Sequence, residues 1–471
     1  MRNRQCTLAV LSFFIMLQCF SQIRLPAVLS SGMVLQQNDS VTLWGWSQPA
    51  EQIFVTTGWN NRTDSVIADN GANWKIKIKT PVAGGPYSIS FKGHNTIELK
   101  NVLIGEVWIC SGQSNMEMNE QWGLPDIRSD LVTCENKNIR FFTIPKATSV
   151  YPQEDCKAQW LSCDSNTLKP FSAVGYYFGK KLNAELNVPI GLINASWGGT
   201  PAEVWTPAEQ VNNDAELKAS SEKLQEFAWW PRRPGATFNG MISPVTNFSI
   251  AGAIWYQGEG NTTVPTTYSH LFNTMIDSWR KAWNKNLPFY YVQIAPFTYG
   301  TTNIGNLIRE QQTKTLQHEN TGMAVITDLV DDTTDIHPKN KHDVGYRLAN
   351  WALNETYHKS VALYRSPFYK NIEIKKDKAV ISFDNVPTGL MAKGKKITAL
   401  EIAGADKVFY PAEAKIDNDK LIVWSKSVNQ PVAVRFSFSN AAIGNLFSKE
   451  GLPVCPFRTD DWQVVQVEVK K

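Results

Sequence analysis

The sequence predicts an α/β domain built on a parallel sheet and flanked on both sides by β-rich regions. Two observations point to it. From about 105 to 356, the apolar runs VWIC (107–110), IGLINAS (190–196), IAGAIWYQ (250–257), FYYVQIA (289–295) and MAVITDL (323–329) alternate with amphipathic stretches. Strands that are apolar on both faces and spaced by helices belong to a sheet covered on both sides. On either side of this region, short runs instead alternate polar and apolar residues, as in antiparallel sheets with one face in water.

The elements follow in order. Residues 41–46 (VTLWGW), 53–59, 74–80, 87–93 and 97–105 read as strands broken by Gly, Asn, Asp and Pro. In the middle region the predicted helices are Ala173–Leu186, Tyr268–Trp283, Asn306–His318 and Lys341–Thr356, each with apolar residues at helical spacing. From about Tyr369 the short strands return at 372–376, 379–384, 399–404, 421–425 and 432–438. A chain of 471 residues is too long for one ordinary core. The expected division is 1–22, 23–103, 104–357 and 358–471.

The first segment reads as a signal peptide: Arg2 and Arg4, the apolar run Leu8–Phe20, then a polar break at Ser21-Gln22, with cleavage expected between Ser21 and Ile23. The run is shorter than the ~20 residues that cross a bilayer. The mature chain is therefore expected in the periplasm or outside the cell, without a membrane anchor. Cleavage removes two arginines and takes the formal net charge from +4 to +2, which leaves no electrostatic footprint for nucleic acid. Of seven cysteines five remain, an odd number that argues against a full disulfide framework, although Cys156 and Cys163 are close enough in sequence to pair. Seventeen tryptophans suit sugar stacking as well as core packing.

The chemistry concentrates in the middle region. Trp108–Gly112 is an apolar run that stops at a glycine and delivers Ser114 to the loop beyond. A serine outside the carboxyl end of a parallel strand, followed by a helix, is exposed and has backbone N–H groups nearby to hold an oxyanion. A serine there can also simply cap the helix. His337, in Asp335-Ile336-His337-Pro338, is the expected base, because a serine hydroxyl needs an imidazole to take its proton. His342 is its nearest competitor in sequence. Asp335 is the first choice for the acid that orients the ring, with Asp328, Asp331 and Asp332 as alternatives, or no acid at all, a Ser-His pair whose ring is oriented by a backbone carbonyl. No His-Glu-x-x-His, Cys-x-x-Cys or Gly-rich phosphate loop occurs, so no metal or cofactor is expected.

Gly112-Gln113-Ser114-Asn115-Met116 resembles the nucleophile block of the SGNH hydrolases, in the form found in sialate O-acetylesterases and related carbohydrate acetylesterases. The segments Val188–Trp205, Ala253–Asn261, Asp335–Pro338 and Gly451–Trp462 resemble further blocks of that family, in the same order. The resemblance implies a flavodoxin-like three-layer SGNH core with β-sandwich-like flanking domains. It implies an oxyanion hole from the amide of Ser114, a glycine amide at Gly198 or Gly199, with Gly199 preferred, and the side chain of Gln257. Asn261 is the rival donor. It also implies Asn115, Glu259, Asn239 and Arg309 as substrate-binding candidates. Arg232 and Arg233 join them as a polar-aromatic patch with Trp229 and Trp230, suited to a sugar carboxylate. One departure is that Asp335 precedes His337 by two positions where the superfamily has three. The implied partner is an O-acetylated glycan, 9-O-acetylated sialic acid first and acetylated xylan second. A carbohydrate-binding protein on a decayed hydrolase scaffold is the reading from another class.

Overall fold

In the computed structural model, which describes residues 22–361 and 364–469, a central sheet carries the middle of the chain. The signal-peptide expectation falls on residues 1–22 and so lies, apart from Gln22, outside the described residues. The strand order, by residue range, is Thr321–Ala324, Phe289–Val292, Gly252–Tyr256, Thr96–Gly112, Ile190–Ser196, Asn136–Thr143, Trp160–Cys163. All neighbours are parallel except the last pair.

The run Thr96–Gly112 explains why the sheet is two-faced. Val107 and Ile109 point into one apolar core, while Trp108 and Cys110 point into another. The neighbouring strands divide in the same way: Ile193, Ala195 and Trp255 go to the first core, Leu192, Ile254 and Tyr256 to the second. This is the period-2 alternation of a strand with both faces buried. Helix Tyr268–Trp283 covers the first face through Phe272, Met275 and Trp279. Helices Ala173–Leu186 and Lys341–Trp351 pack together over the second through Val174, Phe178, Leu182, Val344 and Leu348. The result is the three-layer α/β sandwich expected.

Two of the predicted helices have the expected bounds; the third runs over Ile304–Thr315 and the fourth passes into a wider π turn at Ala352–Thr356. The boundary expected at 103/104 falls inside a single strand. Thr96–Gly112 pairs with Gly84–Lys92 in its first half and joins the central sheet in its second, so the N-terminal β-domain and the hydrolase sheet share a strand and one continuous core. In the C-terminal region, two four-stranded antiparallel sheets enclose a separate core that includes Ile381, Leu421, Ile402 and Phe436. The cysteines described are free thiols: Cys163 donates to the carbonyl of Cys134 at 3.2 Å and is not paired with Cys156.

Candidate active site

Three adjacent strands end at one level. Gly112 lies opposite Ser196 on one side and Tyr256 on the other, so the loops beyond these residues converge on Ser114. Gly112 has φ +132°, and a Cβ there would sit 2.2 Å from the Tyr256 carbonyl oxygen. Glycine is therefore required where the chain turns between its neighbours. Ser114 opens a short helix, Ser114–Glu117, and its side chain lies at the edge of burial.

The fourth loop brings His337, the candidate base, to Ser114. His337 Nε2 lies 3.0 Å from Ser114 Oγ, within hydrogen-bond reach for proton transfer. Trp122 packs edge-on against the imidazole, with ring centroids 5.6 Å apart. Burial, then the Lys341 ammonium, hold the His337 pKa below its ordinary 6.5, against the opposing pull of Asp335. A base kept neutral at pH 7 can accept the serine proton. His342 is engaged elsewhere, 2.8 Å from Asp343.

Asp335 is placed differently from a carboxylate that bonds the ring. Its Oδ1 accepts the backbone N–H of His337 at 2.9 Å and stands 3.6 Å from Nδ1, beyond a good hydrogen bond. Among the described residues no hydrogen bond or ion pair links Asp328, Asp331 or Asp332 to the ring. Asp328 instead holds Arg347 by two contacts of 2.7 Å, and Asp332 accepts from Thr334.

On the side expected to hold the oxyanion, the candidate groups are amides. The N–H groups of Ser114 and Gly199 make no hydrogen bond among the described residues. The Gly198 N–H donates to Glu117 Oε2 at 2.6 Å, and Glu117 in turn pairs with Lys146. Gly198 is thus a fixed part of the wall, packed 3.3 Å from the Ser114 Cβ, measured from where its own Cβ would stand. Gly199, at φ +80°, is the glycine whose amide is left free.

Gln257 departs from its expected role. Its side chain is buried and fully engaged: Nε2 donates to the Thr200 carbonyl and to Asn261 Oδ1, and Oε1 accepts from Tyr268. Its rival Asn261 is likewise buried, between Ala202, Gln257 and Glu203. Both brace the loop from beneath. Gln113, within the nucleophile block, uses Oε1 to accept the Gly260 N–H, while its Nε2 makes no hydrogen bond among the described residues.

Four of the substrate-binding candidates are also structural. Arg309 is buried and donates to the carbonyls of Ala295, Ser439 and Asn440, tying its helix to the C-terminal domain. Asn239 donates to the carbonyls of Ser149 and Val150 and pins that loop. Asn115 and Glu259 sit beneath the catalytic pair. Asn115 Nδ2 donates to Glu259 Oε1 at 2.9 Å and to the Ile336 carbonyl at 3.2 Å, and its Oδ1 accepts from Lys341 Nζ at 2.6 Å. All three side chains are buried, and burial pushes Glu259 up to about 7 and Lys341 down to about 7. Asn115, the residue after Ser114, is therefore tied to Ile336, the residue before His337, and its bonds to Glu259 and Lys341 fix its orientation. Lys341 was invisible in the sequence beyond its place as a helix start. Arg232 and Arg233 alone remain at the surface, lining an open pocket of about 770 Å³ with Trp229 and Trp230.

Comparison with known proteins identifies the family and the fold. The profile of a family described as carbohydrate esterase, sialic acid-specific acetylesterase matches residues 104–354. Sialate O-acetylesterase of Homo sapiens is 28% identical over 397 residues, covering 76% of each chain, and that of Mus musculus is 27% identical over 414 residues. A carbohydrate acetylesterase from Xanthomonas citri superimposes with a TM-score of 0.85 at 37% identity, over 93% of this chain and 100% of that one. The chain belongs to the sialic acid-specific acetylesterase family of carbohydrate esterases, as a carboxylic ester hydrolase of the SGNH type that removes O-acetyl groups from carbohydrates.

Proposed function

We propose that the protein is an exported sialate O-acetylesterase that deacetylates 9-O-acetylated sialic acid through an acetyl-Ser114 intermediate. The observation that carries the mechanism is the 3.0 Å approach of His337 Nε2 to Ser114 Oγ, beside the amides of Ser114 and Gly199, which make no hydrogen bond among the described residues. Ser114 Oγ attacks the acetyl carbonyl carbon while His337 takes its proton. The amides of Ser114 and Gly199 receive the negative charge that develops on the carbonyl oxygen. Collapse breaks the bond to the sugar oxygen, which leaves with the proton from His337. Water then adds to the acetyl-serine with His337 as base, and acetate departs.

Two features support sialic acid as the sugar. Arg232 and Arg233 line the pocket next to the site, and a guanidinium matches a sugar carboxylate. The mammalian relatives bear the name sialate O-acetylesterase. Export rests on the apolar run Leu8–Phe20 after Arg2 and Arg4. The test is acetate release from an O-acetylated sialoglycan and from acetylated xylan, side by side, with wild type and Ser114→Ala. Preference for the sialoglycan, abolished in the variant, is the expected result. Preference for xylan would keep the mechanism and replace the substrate, and acetate from neither would refute the enzymatic reading.

A further inference from the structure

The structure assigns a second sugar subsite to the pocket between Trp197 and the 226–236 segment, where a sugar unit linked to the acetylated one is held against Trp229. The proposal rests on Ser114 being the nucleophile, and it makes the enzyme one that acts on sugars still joined in a glycan.

The pocket abuts the catalytic loop without containing it. Trp230 lies against Gly199: a Cβ on that glycine would fall 2.1 Å from the indole ring. Gly198, next in the chain, packs on Ser114. Trp197, which precedes both glycines, forms part of the pocket wall. A substrate whose acetyl carbonyl reaches the Gly199 amide therefore extends its leaving-group side along this wall. About 770 Å³ lies within the range of ligand clefts, and the acetyl group itself needs little of it.

The lining is aromatic and hydrogen-bonding together. Phe227 and Trp230 pack with centroids 4.3 Å apart, and Trp229 stands edge-on to Trp230 at 5.4 Å. Trp197 Nε1 donates to the Trp229 carbonyl, which fixes the backbone beneath the ring. Trp229 is 66% exposed and belongs to a contiguous cluster with Phe227 and Trp230, and a cluster of rings lining a pocket, unlike a lone exposed side chain, marks a binding surface. The C–H faces of a pyranose can cover that ring. Arg232 donates one N–H to the Leu224 carbonyl and pairs loosely with Glu226 at 3.8 Å, and Arg233 donates one to the Ser149 carbonyl, so each guanidinium is anchored with further donors left over. Lys218, Arg232 and Arg233 against Glu222 and Glu226 leave the lining with one positive charge in surplus. The two guanidiniums thus face the carboxylate of the acetylated sugar, while the ring of Trp229 is left to the hydroxyl-rich unit linked to it.

The test compares Trp229→Ala with wild type on paired substrates: 9-O-acetyl sialyllactose against free 9-O-acetyl sialic acid, and acetylated xylotetraose against acetylated xylose. 4-Nitrophenyl acetate, too small to reach the pocket, reports the catalytic pair. The expected result is that one oligosaccharide is preferred by wild type and that its KM rises about three- to tenfold in Trp229→Ala. Turnover of 4-nitrophenyl acetate should be unchanged, and Trp229→Phe should restore part of the loss. Oligosaccharide-to-monosaccharide ratios identical in wild type and variant would overturn the subsite. Should Ser114→Ala retain full activity, the catalytic reading fails separately. Tryptophan-fluorescence titration with sialyllactose and xylotetraose then still decides the subsite, which predicts binding weakened by Trp229→Ala and is overturned by equal or absent binding.

Discussion

Replacing Asp335 should do unusually little damage for a residue beside a catalytic histidine. Its carboxylate stands 3.6 Å from His337 Nδ1, and the two side chains are 43% and 28% exposed. Unit charges at that separation attract by about 1 kcal/mol in a water-like dielectric. Exposed pairs of this kind measure roughly 0.2–1 kcal/mol once solvent and salt screen them. Asp335→Asn removes that charge but keeps an Oδ1 to accept the His337 N–H, so kcat/KM should fall only about two- to fivefold. Asp335→Ala also loses the 2.9 Å bond that shapes the loop, worth about 1 kcal/mol more, for a total of about ten- to thirtyfold. His337→Ala, in contrast, removes the base and should cost at least about 10²–10⁴-fold. Steady-state hydrolysis of 4-nitrophenyl acetate by the three variants decides the matter. A loss in Asp335→Asn as deep as in His337→Ala would refute the reasoning, since it would require a direct ring-to-carboxylate hydrogen bond during catalysis.

Ser114→Ala and His337→Ala should each abolish ester hydrolysis while leaving circular dichroism and thermal melts close to wild type, because neither side chain braces the core. The base acts neutral, so activity falls as pH drops through its pKa; since that pKa is held below 6.5, the acid limb of kcat/KM should lie on the acid side of an ordinary imidazole. Lys341→Met removes a charge that disfavours the imidazolium and should move that limb to higher pH, whereas Asp335→Asn should move it lower. Lys341→Met should also destabilise the fold by about 3 kcal/mol, roughly 3–4 °C by calorimetry for a unit of this size, because it leaves Glu259 and Asn115 buried without their cation. Lys341→Met/Glu259→Gln should recover part of that loss, and strict additivity of the two changes would contradict a coupled pair. Gln257→Ala should lower stability more than it lowers the activity of the protein that remains folded.

The layers of the fold were legible because both faces of each central strand are apolar and the covering helices carry long amphipathic patterns. Ala173–Leu186 shows this: Ser172 caps its first turn and Asn187 ends it in a left-handed conformation, both local signals. The shared strand Thr96–Gly112 was not legible, since an unbroken run gives no sign that its two halves serve different sheets. The approach of His337 to Ser114 was legible in their blocks, and so was a turn-forming glycine at 199. Gln257, Asn261 and Arg309 were misplaced for one reason. A polar side chain in a loop looks available until the carbonyls and amides that bury it arrive from distant parts of the chain, and for Arg309 those acceptors lie about 130 residues away. Lys341 is the converse case. A lysine in the first turn of a helix reads as solvated, and only the packing of Asn115 and Tyr256 around it makes it a buried cation.

Labelling with a phosphonate ester that stops at the tetrahedral stage tests the central claim most directly, with peptide mass spectrometry to place the adduct and acetate release measured in parallel. The account predicts one phosphonyl group, on the peptide that contains Ser114, with activity lost in proportion to labelling and no adduct in Ser114→Ala. Hydrolysis that continues with Ser114 fully labelled, or inactivation with the adduct on another residue, would contradict it.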